Sequence, residues 1–155
     1  NVHIWDKDLE NFKKTKIYTE VEENSLGYIY GIQWRYFSGQ DPNDFIVKNT
    51  DQIVGLIKGI VENPMNTRQV VSAWNSSELE AMALPPCHWA FEILPRPLAN
   101  WEKEEKFPGY EYCFALKWHQ RSVDTFLGLP FNLASYALLG NILEQITGMK
   151  FAINN

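Results

Sequence analysis

The chain has 155 residues, of which 45% are hydrophobic and 14% aromatic, a length and composition that fit one folded domain over 1–155 and exclude a disordered or low-complexity protein. Its net charge of -5 at pH 7 argues against a nucleic-acid partner, because such binding needs clustered Lys and Arg, but leaves small anionic ligands open. No apolar run approaches the roughly 20 residues that span a bilayer, and no basic-then-apolar signal follows Asn1. The sequence therefore predicts a soluble, cytoplasmic protein with no membrane partner.

The chain holds two cysteines and three histidines, and neither set has disulfide or metal-site spacing. Cys87 and Cys113 lie in segments of different character, which argues against a disulfide framework. The histidines are scattered, and neither CxxC nor HExxH spacing occurs. The sequence therefore predicts no metal site.

The first half of the chain contains one strong helical pattern. Residues 1–25 mix charges with isolated apolar residues, which indicates a surface element followed by a loop. An amphipathic helix is predicted next, and Asn63-Pro64 marks its end; its apolar residues are Ile53, Leu56, Ile57, Ile60 and Val61. Residues 68–74 are rich in β-branched side chains and predict a strand, while residues 75–77 predict the cap of a short helix.

The second half alternates strands with a loop and ends in a long helix. Residues 88–94 and 110–119 predict two strands. Between them, residues 95–109 hold three prolines and a run of charges, which predicts a solvated insertion loop, with a partner-binding role as the alternative. Apolar residues at helical steps predict a largely buried helix over 132–147, ended by Gly148. This order of elements indicates an α+β fold, a mixed β-sheet packed with helices.

A rigid segment precedes the first cysteine. Pro85 and Pro86 fix their own φ and bias the preceding residue towards extended backbone, so the backbone that presents Cys87 is stiff. A thiolate is the attacking form of cysteine, and nearby positive charge favours it; Arg121 is the candidate source of that charge. Taken alone, a cysteine after Pro-Pro is more often a small buried apolar residue, so this segment leaves both interpretations open.

A second segment, which follows the second of these strands, combines groups suited to an anionic nucleotide. Arg121 offers a planar fork for phosphate, Ser122 offers a hydroxyl donor, and Asp124 can accept a ring N–H. Gly128 allows close backbone approach to a ligand, and the Asn132 amide matches the carbonyl and N–H edge of a uracil. An isolated Arg-Ser-x-Asp is otherwise a turn with a surface ion pair, but together these groups indicate a nucleotide pocket.

Four runs of residues resemble the thymidylate synthase family, and they occur in the family's order. The runs are Leu26-Gly27-x-x-Tyr30-Gly31-x-Gln33-Trp34-Arg35, Val71-Ser72-Ala73-Trp74-Asn75, Met82-Ala83-Leu84-Pro85-Pro86-Cys87-His88 and Gln120-Arg121-Ser122-Val123-Asp124-x-Phe126-Leu127-Gly128-Leu129-Pro130-Phe131-Asn132-x-Ala134-Ser135-Tyr136. The resemblance covers nearly the whole chain apart from two insertions, 8–25 and 95–109, and implies a thymidylate synthase-like fold.

The resemblance implies reductive methylation of dUMP to dTMP, with 5,10-methylenetetrahydrofolate as the co-substrate that supplies the carbon and the hydride. Cys87 would be the nucleophile that adds to C6, and Arg121 would hold the phosphate and favour the thiolate. Tyr30 and His88 would belong to a polar network that orders water. The other implied nucleotide contacts are Gln120, Ser122, Asp124 and Asn132. The implied folate contacts, for which core packing is the alternative, are Ile4, Trp5, Asp124, Leu127, Gly128 and Phe131.

The resemblance also implies a homodimer in which arginines cross the interface to the neighbour's phosphate. The matching pair here is Thr67-Arg68, so only Arg68 would act in trans, and phosphate binding would lose one charge-assisted contact worth about 1.5 to 3 kcal/mol if fully made. Family members also carry an arginine loop and a catalytic glutamate upstream and a His-x-Tyr downstream. Without those segments, very low activity is expected of these 155 residues alone.

Two alternatives to a working thymidylate synthase remain open from the sequence. A dUMP hydroxymethylase would let water instead of hydride complete the reaction, and Asn132 favours uracil over cytosine in either enzyme. A non-catalytic relative kept as a binding or dimerisation module fits the loss of arginine at Thr67, although an intact Cys87 and Arg121 count against it.

Overall fold

The computed structural model describes residues 5–15, 18, 25–40 and 47–152, and the chain forms two compact units. The first comprises Asn1–Gln52 and Ser72–Pro86, and the second comprises Ile53–Val71 and Cys87–Asn155. Among the residues described, none of the helices combines the length and the apolar character needed to span a membrane.

The first unit is built from short helices and a two-stranded hairpin. Helix α1 spans Asp6–Phe12 and α2 spans Gly31–Arg35, and β1 (Phe37–Gln40) pairs antiparallel with β2 (Val47–Thr50). The hairpin has no strand signal in the sequence, because its strands are mostly Ser, Gly, Gln, Lys and Asn, which have low β-propensity.

A hydrogen-bonded polar network lies inside the first unit. The Glu78 carboxylate accepts from the Gln33 amide at 2.7 Å and from the Ser38 hydroxyl. The Gln52 amide donates to the carbonyls of Gln33 and Ser72 at 2.8 and 2.7 Å and accepts from the Ser72 N–H at 2.9 Å. Hydrogen bonds offset the cost of burying polar groups, so this network fixes how the helices and the hairpin of this unit meet.

The short helix expected after residues 75–77 is a single 3₁₀ turn, Leu79–Ala81. The Asn75 side-chain carbonyl accepts from the N–H and the hydroxyl of Ser77, at 3.3 and 2.7 Å, so it closes an Asx-type turn instead of capping an α-helix.

The backbone after this turn is held by a short bridge to the segment before α2. The Tyr28 N–H donates to the Ala81 carbonyl at 3.0 Å, and the Ala83 N–H donates to the Leu26 carbonyl at 2.8 Å. Gly27, which lies between Leu26 and Tyr28, has φ +82°, and a Cβ added there would lie 2.1 Å from the Ala81 carbonyl oxygen. Only glycine fits this approach, which fixes the chain shortly before it reaches Cys87.

The second unit carries a mixed four-stranded sheet in the order β3-β4-β5-β6. Strand β4 (His88–Pro97) pairs antiparallel with β5 (Tyr112–Gln120), and β5 pairs parallel with β6 (Lys150–Phe151). Strand β3 is Val70–Ser72, shorter than the strand expected over 68–74, and its last residue belongs to the first unit. The α+β prediction of a mixed sheet packed with helices is confirmed.

Two longer helices belong to the second unit, apart from Gln52 at the start of the first of them. Helix α3 (Gln52–Glu62) ends just before Asn63-Pro64, as predicted. Helix α4 (Leu129–Thr147) begins three residues earlier than expected, because Pro130 is well suited to a first helical turn, and it ends at Gly148 with φ +70°.

Helix α4 is less buried than the sequence predicts. Its buried residues are Tyr136, Gly140, Leu143 and Glu144. Several of its apolar side chains are exposed, namely Phe131, Leu133, Leu138, Ile142 and Ile146. Helical periodicity identifies the apolar residues but not the fraction of the helix circumference that another element covers, so the expectation of a largely buried helix is wrong.

The expected loop over 95–109 contains regular structure. Strand β4 continues to Pro97, and Glu102–Lys106 forms one π-helical turn. Glu102 is buried, accepts a bidentate pair of hydrogen bonds from Arg96 at 2.7 Å each and accepts from the Ala99 N–H at 3.0 Å. The charge run is therefore not wholly solvated, because one of its carboxylates anchors the segment.

Candidate functional site

The sheet of the second unit brings the two chemistry-bearing segments side by side. Strand β4 starts at His88 and β5 ends at Gln120, and these two residues are partners across the antiparallel pair. One residue beyond each, the Arg121 N–H donates to the Cys87 carbonyl at 2.8 Å. The sequence places these segments far apart along the chain, and β-pairing makes them neighbours.

The two cysteines differ in exposure. Cys113, within β5, is buried, and burial raises the pKa of its thiol. Cys87 is half-buried, directly after the fully buried Pro86. Because reaction with a ligand needs an accessible sulfur on a fixed backbone, Cys87 is the better placed thiol.

His88 is held by Tyr136, which lies in the helix predicted over 132–147 and has no site role among the sequence predictions. Its Nδ1 shares a 2.7 Å hydrogen bond with the Tyr136 hydroxyl of α4. Burial lowers the pKa of His88 to about 4, so the ring is neutral at pH 7. Nothing in the sequence pattern marks Tyr136 as more than a core aromatic.

Two side-chain hydrogen bonds hold the end of β5 and the residues that follow it. The Trp118 indole N–H donates to the Gln120 side-chain carbonyl at 3.0 Å, and the Gln120 amide donates to the Ser122 backbone carbonyl at 2.9 Å. Both polar ends of the Gln120 amide are thus engaged within the chain. The side chains of Arg121 and Ser122 are exposed beside it.

Asp124 organises the turn that leads into α4. Its Oδ1 accepts from the N–H groups of Phe126 and Leu127 at 3.0 and 2.7 Å, and its backbone carbonyl accepts from the Gly128 N–H at 3.0 Å. A Cβ on Gly128 would lie 3.1 Å from that carbonyl oxygen, so the glycine makes room for Asp124. Asp124 and Gly128 therefore have a demonstrated role in the turn, beside the ligand roles expected of them.

The first turn of α4 presents the remaining residues expected in this unit. The Asn132 N–H donates to the Gly128 carbonyl at 3.0 Å, and the Asn132 side chain is half-buried. Phe131 is 71% exposed, and Leu127 is also exposed. Arg68 lies on another segment, the exposed turn before β3, where its N–H donates to the Asn66 side chain at 2.9 Å.

The first unit holds the other expected residues. Tyr30 precedes α2 with φ +32°, a conformation that is strained for a residue other than glycine and is typical of functional sites. Trp5 is 47% exposed and borders a small apolar cavity of about 50 Å³; its other lining residues are Asp8, Leu26, Ile29, Ala83 and Leu84. Ile4 lies outside the described residues.

The described part of the chain contains no group of three or more His, Cys, Asp or Glu side chains arranged to hold a metal ion.

Comparison with known proteins identifies the family. A sequence model described as thymidylate synthase matches residues 1–153. The chain is 44% identical over 146 residues to the probable thymidylate synthase of Escherichia phage T5, covering 94% of this chain and 44% of that protein. It is 42% identical over 146 residues to the thymidylate synthase of Enterobacteria phage T4, covering 94% of this chain and 42% of that protein.

A solved structure agrees with the sequence comparison. The crystal structure of thymidylate synthase from T4 phage matches with a TM-score of 0.69 and 39% identity over 98% of this chain and 44% of that chain. The chain thus spans less than half the length of these relatives. With a family match over nearly every residue and a shared fold, the chain belongs to the thymidylate synthase family.

Proposed function

We propose that this chain provides the nucleophile and nucleotide-binding core of a thymidylate synthase that converts dUMP to dTMP in the cytoplasm. The observation that carries the proposal is the 2.8 Å hydrogen bond from the Arg121 backbone N–H to the Cys87 backbone carbonyl, which places a half-buried cysteine and an exposed arginine on neighbouring backbone segments. A nucleophile beside an anion-binding group suits attack on the ring of a nucleotide.

In the proposed reaction, the Cys87 thiolate adds to C6 of the uracil ring. A carbon–sulfur bond forms, and the electron pair of the C5–C6 double bond moves towards C5 and the C4 carbonyl, so C5 becomes nucleophilic. Arg121 and Ser122 bind the phosphate, and Arg121 favours the thiolate by its charge. Asn132 reads the carbonyl and N–H edge of the ring.

Several residues fit a folate co-substrate. When bound, 5,10-methylenetetrahydrofolate supplies the one-carbon unit and the hydride. The rings of Trp5 and Phe131 and the side chain of Leu127 are exposed, and aromatic and aliphatic surfaces of this kind stack against flat heterocycles. Asp124 has Oδ1 engaged by the turn, so we assign its second carboxylate oxygen to a ligand N–H.

Product analysis of the full-length protein tests the proposed activity. With dUMP and methylenetetrahydrofolate, we expect dTMP and dihydrofolate. Cys87→Ser should abolish product, whereas Cys113→Ser, which alters the buried cysteine of β5, should keep it. A hydroxymethylated nucleotide would establish the hydroxymethylase instead, and absence of any product would support the non-catalytic alternative.

A homodimer with Arg68 acting across the interface is part of the proposal. The Arg68 side chain is exposed, and so are Trp89 and Leu94 on β4, which supplies apolar area for association. Mixing Cys87→Ser protein with Arg68→Ala protein should restore activity, because half of the mixed dimers' sites combine an intact Cys87 with an intact Arg68 from the neighbour. No recovery after subunit exchange would contradict action in trans.

A further inference from the structure

Tyr136 contacts both strands of the antiparallel pair at the end where the candidate site lies. From α4 its hydroxyl reaches His88 Nδ1 at 2.7 Å, and its ring meets the His88 ring edge-on, with centroids 5.5 Å apart and an interplanar angle of 86°. Its ring also stacks on Trp118 of β5, at 5.3 Å and 7°. Tyr136 is 4% exposed, so these contacts hold it on several sides.

A β-bulge makes the His88 contact possible. The register of β4 against β5 shifts between His88 and Ala90, which leaves Trp89 as the extra residue. In a regular strand His88 and Phe91, three residues apart, would point to opposite faces. Here the rings of both His88 and Phe91 contact the Tyr136 ring, and the Phe91 and Tyr136 centroids are 5.9 Å apart. The bulge therefore turns His88 onto the face that α4 covers.

The stacked Trp118 extends the linkage to the end of β5. Its indole N–H donates to the Gln120 side-chain carbonyl at 3.0 Å, and the Gln120 amide donates onward to the Ser122 carbonyl at 2.9 Å. One tyrosine is therefore connected to His88 at the start of β4 and, through Trp118, to the residues that flank Arg121.

We propose that Tyr136 is a positioning residue of this site, which orients His88 through its hydroxyl and Gln120 through the stacked Trp118 ring. The proposal rests on the proposed function, since His88 and Gln120 matter to the reaction only if a nucleotide binds beside Cys87. Tyr136 acts through its neighbours. We assign its hydroxyl as the donor to His88 Nδ1, which keeps neutral His88 as the Nε2–H tautomer and fixes the direction of that remaining N–H donor.

A tautomer measurement tests the proposal independently of activity. Full-length protein labelled with ¹⁵N-histidine should show His88 at pH 7 as one neutral tautomer in the wild type and as a mixture of both in Tyr136→Phe. The matched control is Tyr110→Phe. It also removes a tyrosine hydroxyl that donates a hydrogen bond to a side chain, here to the Glu144 carboxylate at 2.8 Å. A mixture in the wild type, or a single tautomer retained in Tyr136→Phe, would overturn the proposal.

Kinetics of dTMP formation separate positioning from folding. Tyr136→Phe keeps the ring stack, so we expect kcat to fall by about threefold to tenfold, the effect of one net hydrogen bond, with KM for dUMP within about twofold. Trp118→Phe keeps an aromatic ring but removes the donor to Gln120, and should raise KM for dUMP by about threefold. Equal kinetics for Tyr136→Phe and Tyr110→Phe would contradict the proposal. If the wild type forms no dTMP, the proposed function fails and the tautomer measurement alone decides the role of Tyr136.

Discussion

His88 shows how a single half-buried residue couples the site to pH. Burial lowers its pKa to about 4 from an ordinary value of 6.5, since the charged form loses hydration. As pH falls from 6.5 towards 4, the unfolded chain protonates this residue before the folded chain does. The free energy of unfolding must therefore decrease across that interval.

Replacing His88 should remove this pH dependence. In His88→Asn no proton is taken up by the unfolded chain at this position, so the curve of unfolding free energy against pH should flatten between pH 6.5 and 4. Urea denaturation at a series of pH values measures it. A slope equal to that of the wild type would show that His88 is not held neutral in the folded protein.

Gly27 provides a second test at the scale of one residue. Gly27→Ala adds a Cβ that would lie 2.1 Å from the Ala81 carbonyl oxygen, on a backbone with φ +82°. Gly109→Ala and Gly148→Ala are matched controls, because φ is also positive but no atom lies within 4 Å of the added Cβ. The controls should lose about 1 to 2 kcal/mol of unfolding free energy.

Gly27→Ala should lose more than either control, since steric overlap with the backbone adds to the same conformational strain. Denaturant unfolding of the three variants makes the comparison. Equal losses would mean that the close approach of Gly27 to the Ala81 carbonyl does not constrain the chain before Cys87.

At the scale of elements, the packing of α4 on β6 has a sharp test. A Cβ on Gly140 would lie 2.5 Å from the ring of Phe151, which stacks on the buried Phe114 at 5.3 Å. Gly140→Ala should destabilise by about 1 to 3 kcal/mol through overpacking. Gly55→Ala in α3 meets no atom within 4 Å and should instead stabilise by about 0.5 to 1 kcal/mol. Thermal or urea unfolding reads both, and the same sign for both would contradict this packing.

Elements with a local apolar pattern are predictable from the sequence, and those set by tertiary contacts are not. Helix α3 and strand β5 follow hydrophobic repeats of 3.6 and 2 residues, whereas helix α4 and strand β4 are marked by runs rich in apolar residues and, for α4, by Gly148 at its end. The β1–β2 hairpin and the π-helical turn carry no such repeat. The π-helical turn depends on the hydrogen bonds between Glu102 and Arg96, and no sequence-spacing rule specifies that contact.

The candidate site divides in the same way. Cys87 and Arg121 are visible from residue chemistry and motif, and β-pairing places their backbones together. The part played by Tyr136 depends on the bulge at Trp89, because without that extra residue His88 would face away from α4. A one-residue irregularity in register has no signature in hydrophobic periodicity.

At the scale of the whole molecule, the proposed dimer predicts the effect of restoring a second arginine. If Arg68 acts across the interface, Thr67→Arg should add one charge-assisted contact to phosphate, worth about 1.5 to 3 kcal/mol if fully made, and lower KM for dUMP by roughly tenfold or more. Thr67→Gln is the matched control without the charge. Steady-state kinetics at several dUMP concentrations compare them, and equal KM values would place this position away from the phosphate.

Covalent capture tests the central claim, that Cys87 is the nucleophile of a thymidylate synthase, most directly. In 5-fluoro-dUMP, C5 carries fluorine in place of the hydrogen that dUMP loses as a proton. The reaction therefore stops at the adduct, and an adduct formed with methylenetetrahydrofolate should persist. Mass spectrometry of the digested full-length protein should find the nucleotide and the folate on the peptide that contains Cys87 and none on the peptide that contains Cys113. No adduct, or an adduct on Cys113, would contradict the claim.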